Sequence, residues 1–179
     1  MSRSKALLFP AVLLVAFIVA VAASPAHSAS QGSKRQLLTL NRGLVAAINA
    51  YRAQHNLTAL TVSTDLNAAA LQHSMEMGTY GYFAHSSYDG TPFWKRIQTY
   101  YTSTDYSYWT AGENLLYMSP TVSAAKALKM WIASPEHKRN LLSKDWLDVG
   151  VSAVKVAHAP GVYGGYTVTI VTCDFGARH

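Results

Sequence analysis

Apolar residues in the first half of the chain recur at the spacing of a helix. Leu44, Ile48 and Tyr51 stand at positions i, i+4 and i+7, which share one helical face. A second apolar stripe occupies residues 66–77, with Ser63 before it as a capping residue and glycines at its end. These two patterns predict two amphipathic helices.

Shorter patterns follow in the second half of the chain. Further helices are predicted to begin at prolines or capping serines: at Pro92, at Ser119-Pro120 or Ser123, and at Ser134. Strands are predicted at 113–118, 149–157 and 165–175. The tyrosine-rich stretch 102–110 has no period and is interpreted as a loop. Helices that come first and strands that come last predict an α+β domain, with an antiparallel sheet covered by helices.

The beginning of the chain has the pattern of an export signal. Arg3 and Lys5 precede an apolar run over residues 6–23, and small residues at 26–28 offer a cleavage site. The run is long enough that a retained membrane anchor is the alternative. Because Pro10 interrupts the run and a cleavage pattern follows it, we predict a signal that is removed on export.

These boundaries define three segments. Residues 1–28 are the predicted cleaved signal peptide, residues 29–38 a short flexible arm, and residues 39–179 one folded domain. Cleavage after Ser28 leaves 151 of the 179 residues, which is enough for one core and too few for two domains. The predicted mature protein is secreted and has no stable membrane span.

The composition limits the classes of protein to which the chain can belong. The formal net charge falls from +6 to +4 when the two basic residues of the signal leave, and the remaining basic residues are scattered. This argues against a nucleic-acid partner. Because 50% of the residues are hydrophobic, disorder is excluded. The single cysteine, Cys173, excludes an intramolecular disulfide framework, and its place in a predicted strand indicates a buried packing residue.

Three segments carry polar residues that an ordinary core does not require, at 83–87, 112–114 and 134–140. They contribute His85, Glu113 and His137. Two imidazoles and one carboxylate suit zinc or another divalent cation, and three protein ligands leave one position for water. The spacing matches no local metal-binding motif, so dispersed surface histidines are the alternative.

Several of these polar residues also have a purely structural interpretation. Ser134 can cap a helix, with Pro135 at its first position and Glu136 in its first turn. His73 falls on an apolar helical stripe, which favours a hydrogen-bonded core histidine. A Ser-His-acid hydrolase with a serine of these segments as nucleophile is a further alternative, although no G-x-S-x-G elbow is present.

An ordered set of short motifs runs through the predicted domain. In chain order these are Ile48-Asn49-Ala50-Tyr51-Arg52, Phe83-Ala84-His85-Ser86, Gly112-Glu113-Asn114-Leu115, Trp131-Ile132-Ala133-Ser134-Pro135-Glu136-His137-Lys138-Arg139-Asn140 and Asp148-Val149-Gly150-Val151. In this order they resemble the CAP superfamily, which comprises cysteine-rich secretory proteins, antigen 5 and pathogenesis-related 1 proteins. The resemblance is to its short bacterial, SCP-like extracellular branch and spans about residues 40–176.

The resemblance implies a three-layer α-β-α sandwich with a large central cleft. In eukaryotic members two histidines and two glutamates line that cleft and can hold a divalent metal. Carried over by position, His85, Glu113 and His137 match three of these four residues. The second glutamate is expected three residues after Trp131, where this chain has Ser134. The resemblance therefore implies an incomplete site for zinc or another divalent cation.

The resemblance leaves the function open among three hypotheses. The first is a secreted binding module for a small apolar ligand such as a sterol or fatty acid. Its cleft would include His73, Ser134 and the aromatic residues Tyr106, Tyr108 and Trp109, although these aromatic residues could equally decorate a surface loop. The second is a metal-assisted hydrolase of cell-wall or peptide material, with the glutamate as third ligand or general base. The third is a surface interaction protein with a vestigial cleft.

Overall fold

The computed structural model describes the backbone of residues 25–179 and the side chains of residues 33–179. The helices in this range are α1 (Pro25–Ala53), α2 (Thr64–Tyr80), α3 (Phe93–Tyr100), α4 (Ala124–Ala133) and α5 (Pro135–Leu142). The strands in this range are β1 (Thr61–Val62), β2 (Trp109–Met118), β3 (Asp148–Val156) and β4 (Val168–Arg178). Most of the predicted signal peptide, residues 1–28, lies outside the described residues, so it stays a prediction.

The four strands form one sheet in the order β1-β3-β4-β2. β4 pairs antiparallel with both β2 and β3, as the sequence predicts. The short edge strand β1 differs, because it pairs parallel with β3 through Thr61 and Val62. The side chain of Asn49 holds this edge in place by bonding both the N–H and the C=O of Leu60. The sheet is therefore mixed at one edge and antiparallel elsewhere.

Helices cover both faces of the sheet, which confirms the α+β class and the three layers. α1, α4 and α5 pack on one face, and α2 and α3 pack on the other. The larger core cluster lies under the first layer and includes Leu44, Ile48, Trp131 and Phe175. Because it is covered on both sides, β4 is buried at every residue from Val168 to Ala177.

The predicted boundaries of α2 are confirmed by its end groups. The Ser63 hydroxyl accepts a hydrogen bond from the N–H of Leu66, and Gly81 ends the helix in the left-handed conformation at φ 71°. Ser123 caps α4 in the same way as Ser63 caps α2. Ser134 precedes α5 but its side chain makes no capping bond, so Pro135 and the acidic first turn define that helix start.

Two segments expected to be irregular have a different extent in the structure. The flexible arm expected over residues 29–38 lies within α1 in the structure. Leu37 explains part of this extension, because it packs against the larger core cluster and continues the apolar face of the helix. The loop expected over residues 102–110 ends early, since β2 begins at Trp109, which pairs with Arg178 of β4.

Cys173 lies at the centre of β4 and is fully buried in the larger core cluster, as the sequence predicts. Burial raises the pKa of its thiol well above the ordinary value, and the nearby carboxyl groups add to this effect. The residue therefore acts as a small apolar side chain.

Helix α2 packs closely against the sheet at Gly150. A Cβ atom built there would lie 2.6 Å from Leu66 Cβ and closer still to the backbone of Leu66 and Asn67. We expect Gly150→Ala to lower the free energy of unfolding by about 1–3 kcal/mol, because α2 must move off β3. The measurement is the midpoint of urea unfolding at an unchanged slope.

Gly43→Ala provides the matched control, because its added Cβ would meet only Ala124 Cβ at 3.3 Å. We expect this change within α1 to be neutral or slightly stabilising, since alanine favours helix more than glycine does. Equal unfolding midpoints for Gly150→Ala and the wild type would contradict the packing argument.

Candidate functional site

The three predicted metal ligands come together at one polar pocket of about 300 Å³. Glu113 reaches it from the middle of β2, His137 from the first turn of α5, and His85 from the segment that follows α2. The rest of the lining is Phe93, Ala111, Gly112, Glu136, Arg139, Asn140 and Trp146. Residues far apart in the sequence thus meet at the edge of the sheet, as their resemblance to CAP proteins implies.

Glu113 holds the ring of His85 in a fixed orientation. Oε1 of Glu113 lies 2.8 Å from Nδ1 of His85. Because an ionised carboxylate only accepts hydrogen bonds, Nδ1 carries the hydrogen and Nε2 is left as the free ring nitrogen. The Glu113 side chain is completely buried, whereas 52% of the His85 side chain is exposed. A buried carboxylate therefore orients an accessible imidazole.

Arg96 is a member of the site that sequence reasoning missed. It lies on α3, is 3% exposed, and donates to the second oxygen of Glu113. It also donates to the backbone carbonyl of His85 at 3.0 Å. A signal was available, because Arg96 stands at i+3 from Phe93 and i−4 from Tyr100, on a mostly apolar face of a short helix.

Asp174 completes the buried part of the site. It stands opposite Glu113 across the β2–β4 pair and is completely buried. Burial raises the pKa of its carboxyl group well above the ordinary value, and the neighbouring Glu113 raises it further. Among the described residues no donor reaches either oxygen of Asp174. A proton held on Asp174 lowers the cost of this burial, because the neutral carboxyl group brings no charge into the interior.

His73 is a hydrogen-bonded core residue behind the pocket, as its place on the apolar stripe of α2 predicts. It is fully buried, and its Nε2 lies 2.9 Å from the carbonyl oxygen of Ala84. Burial lowers its pKa, with Glu113 acting in the opposite direction. The residue fixes the backbone just before His85 and is not among the pocket-lining residues.

His137 faces the pocket mainly as a neutral imidazole. Burial lowers its pKa, and the nearby His85 lowers it further, against a smaller opposing effect of Glu136. The asparagines beside it are structural. Asn114 donates to the carbonyl oxygen of His137 at 3.0 Å, and Asn140 donates to the carbonyl oxygen of Glu113 at 3.0 Å. These bonds join α5 to β2 and place His137 opposite His85.

The residues present do not fit the predicted three-ligand metal site in this arrangement. Both oxygens of Glu113 are already engaged, one by His85 and one by Arg96. Across the described part of the chain, no group of three or more histidine, cysteine, aspartate or glutamate side chains is arranged to hold a metal ion. The three residues line the same pocket, but both oxygens of the Glu113 carboxylate are hydrogen-bonded to other side chains of the protein.

The other residues predicted for the cleft lie elsewhere. Tyr106 and Tyr108 are about two-fifths exposed, at 42% and 41%. Trp109 packs with α3 and donates through its ring N–H to Tyr101 O at 2.7 Å. None of these three aromatic residues, nor Ser134, is among the described residues that line the polar pocket. Tyr106 and Tyr108 therefore fit the alternative interpretation, in which they belong to a surface loop.

Two apolar grooves lie away from this pocket, on the outer side of β3, and sequence reasoning missed both. One of about 540 Å³ runs between α1, α2 and residues 152–156 of β3. The other, of about 450 Å³, lies between α1 and residues 62, 67, 151 and 152. Leu38, Asn41 and Ser152 line both grooves, so the two are adjacent. They exist because β1 is short and β3 is the edge of the sheet beyond Val149.

Comparison with known proteins assigns the chain to a family. Residues 45–175 match the sequence model of the family described as "CAP: Cysteine-rich secretory protein family". The chain belongs to the CAP family. The match covers the last part of α1, helices α2 to α5, the sheet up to Phe175 of β4 and every residue of the polar pocket.

Bacterial proteins are among the relatives of this CAP domain. It is 31% identical over 113 residues to the uncharacterised protein YkwD of Bacillus subtilis, an alignment that covers 63% of this chain and 41% of YkwD. An extracellular SCP-domain protein of Bacillus anthracis has the same fold, with a TM-score of 0.63, 24% identity, and coverage of 86% of this chain and 44% of that one. The chain thus spans less than half the length of either protein.

An outer surface protein of Borrelia burgdorferi is also similar in structure, with a TM-score of 0.58 and 22% identity. That comparison covers 76% of this chain and 90% of the other. These structural likenesses confirm the fold that the resemblance implies. Within residues 25–179, no helix combines the length and the apolar character needed to cross a membrane.

The buried Asp174 gives a prediction about pH. Because its pKa is raised in the folded state, the unfolded chain releases a proton that the folded chain retains, so wild-type stability falls as pH rises above the ordinary carboxyl range. Asp174→Asn removes this loss, because the amide does not titrate. We expect the variant to gain stability relative to the wild type as pH rises through this range. Urea unfolding at pH 5 to 8 measures the difference.

Asp105→Asn is the control for this series, because it makes the same chemical change on the exposed surface. It shows how much of any difference comes from replacing a surface aspartate by asparagine. A constant difference between Asp174→Asn and the wild type at every pH would mean that Asp174 does not retain a proton.

Proposed function

We propose that this CAP domain is a secreted binding module for an amphiphile with one apolar chain and an anionic head, such as a fatty acid. The observation that carries the proposal is the pair of adjacent apolar grooves along α1. Their sizes fall within the usual range for small-molecule sites, about 300–1,000 Å³. The proposal keeps the ligand class that the resemblance implies and moves it from the polar pocket to the grooves.

Exposed apolar side chains on the groove walls support an apolar ligand. Leu38 and Val62 are 47% and 53% exposed, and Leu71 and Met75 are 43% and 56% exposed. Together these four residues line the two grooves. Covering such surface contributes about 25 cal/mol per Å² of apolar area, so a hydrocarbon chain laid along α1 would be stabilised by contact alone.

The charges around the grooves support an anionic head. Lys34 and Lys155 line the larger groove, and Arg42 lines the smaller one. No acidic residue is among the described residues that line either groove. Long basic side chains can lay their methylene groups on an apolar ligand while the charged end meets a carboxylate or phosphate at the rim.

The compartment is part of the proposal. Similar proteins are described as an extracellular protein and an outer surface protein. The export pattern over residues 1–28 agrees with these descriptions. An exported domain meets free fatty acids and lipids of the cell envelope, which are ligands of the chemistry that the grooves favour.

The first test measures binding of oleate by titration calorimetry to the purified domain. Leu38 borders both grooves, so Leu38→Glu should weaken oleate binding at least about tenfold, a loss of roughly 1.4 kcal/mol from lost apolar contact and added repulsion. Thr39→Glu is the matched control, because it adds the same charge at the next exposed position outside the grooves. Equal weakening by both variants, or no oleate binding by the wild type, would count against the proposal.

The second test separates the contribution of the anionic head to binding from that of the hydrocarbon chain. Oleyl alcohol shares the hydrocarbon chain of oleate but has no charge. We expect the wild type to bind oleate more tightly, and the double variant Lys34→Gln and Lys155→Gln to reduce this preference, because both lysines line the larger groove. Exposed Lys144→Gln serves as the charge control. A preference that the lysine variants leave unchanged would remove the basic rim from the proposal.

A second candidate function, hydrolysis in the polar pocket, rests on the oriented pair of Glu113 and His85. An imidazole held by a carboxylate and open at Nε2 has the arrangement of a general base. Any such activity on peptide or cell-wall material should be lost in His85→Gln. Activity that survives this change would come from a contaminating enzyme, and its absence from the wild type would leave binding as the function.

A further inference from the structure

We propose that Arg96 is a built-in cation that takes the place of a divalent metal at Glu113. The inference concerns the polar pocket and is independent of ligand binding in the grooves. It reverses the expectation drawn from the resemblance, in which Glu113 is a metal ligand. In this chain, Glu113 serves the protein's own guanidinium and imidazole groups.

The contacts of Glu113 leave no oxygen for a metal. Oε2 accepts a hydrogen bond from the guanidinium of Arg96, and Oε1 lies 2.8 Å from Nδ1 of His85. Nε2 of His73 lies 3.9 Å from the same Oε2, on a side chain that is also fully buried. A metal bound to Glu113 would displace one of these partners within the protein interior.

The charge of Glu113 is already offset. The guanidinium of Arg96 forms an ion pair with its carboxylate. The position of a second glutamate holds Ser134, so no second carboxylate is supplied there. A divalent cation at Glu113 would stand directly beside the guanidinium, which would repel it.

Arg96 is not free to move aside. Its side chain is 3% exposed, and it also donates to the carbonyl oxygen of His85 at 3.0 Å. The two bonds tie α3 to β2 and to the segment that carries His85. Arg96 is thus a positioning residue as well as the counter-charge, and it fixes the ring that faces the pocket.

The test is calorimetric titration of zinc into the folded protein at pH 7.5. If Arg96 replaces the metal, Glu113→Gln should leave the zinc affinity of the wild type unchanged, whatever that affinity is. Arg96→Met should raise the zinc affinity at least tenfold, because it frees the carboxylate. The double variant Arg96→Met and Glu113→Gln should lose that gain. Lys95→Met is the control, since it removes an exposed positive charge next along α3.

Three results would overturn the proposal. The first is a tenfold or larger loss of zinc affinity in Glu113→Gln, which would make Glu113 a ligand despite Arg96. The second is a folded Arg96→Met protein with no gain, and the third is a gain that persists in the double variant. Zinc-soaked crystals of the wild type require no variant to fold. Zinc within about 2.2 Å of a Glu113 oxygen would contradict the proposal, and zinc elsewhere or absent from Glu113 would support it.

Discussion

The burial of β4 on both faces is the constraint on which the rest of this structure depends. A strand covered by helices on both sides can accept a polar side chain only where a partner waits for it. Asp174 tests this limit: it lies opposite Glu113 across the sheet, its oxygens accept no hydrogen bond from the described residues, and burial raises its pKa. Glu113 in turn needs Arg96 and His85. The orientation of an accessible imidazole is therefore set by a chain of contacts that begins in the core.

Local signals made much of the fold predictable. Ser63 and Gly81 mark the ends of α2 through caps that involve only nearby backbone, and Pro135 marks the start of α5. The N-terminal part of α1 was missed because the residues before Leu37 are mostly polar and show no apolar period. They extend a helix whose apolar face packs on the core from Leu37 onward. The start of β2 was missed because its pairing partner lies at the far end of the chain.

The candidate site was predictable by residue type and not by role. The motifs identified His85, Glu113 and His137, and all three residues line one pocket in the structure. Periodicity and composition could not show that Arg96 donates a hydrogen bond to the Glu113 carboxylate, because that contact depends on how α3 packs beside β2. The grooves could not be predicted from the sequence for a similar reason. They result from a sheet edge left open by a strand of two residues, which no local pattern in β3 reveals.

Cys173 has a consequence for how the protein matures. The thiol is enclosed by the larger core cluster, and its raised pKa keeps it protonated. It therefore offers neither the access nor the thiolate that disulfide exchange requires. The domain can reach its native state without a thiol oxidase or a disulfide isomerase, and reductants should leave the folded protein intact. Its durability outside a cell would rest on packing rather than on redox conditions.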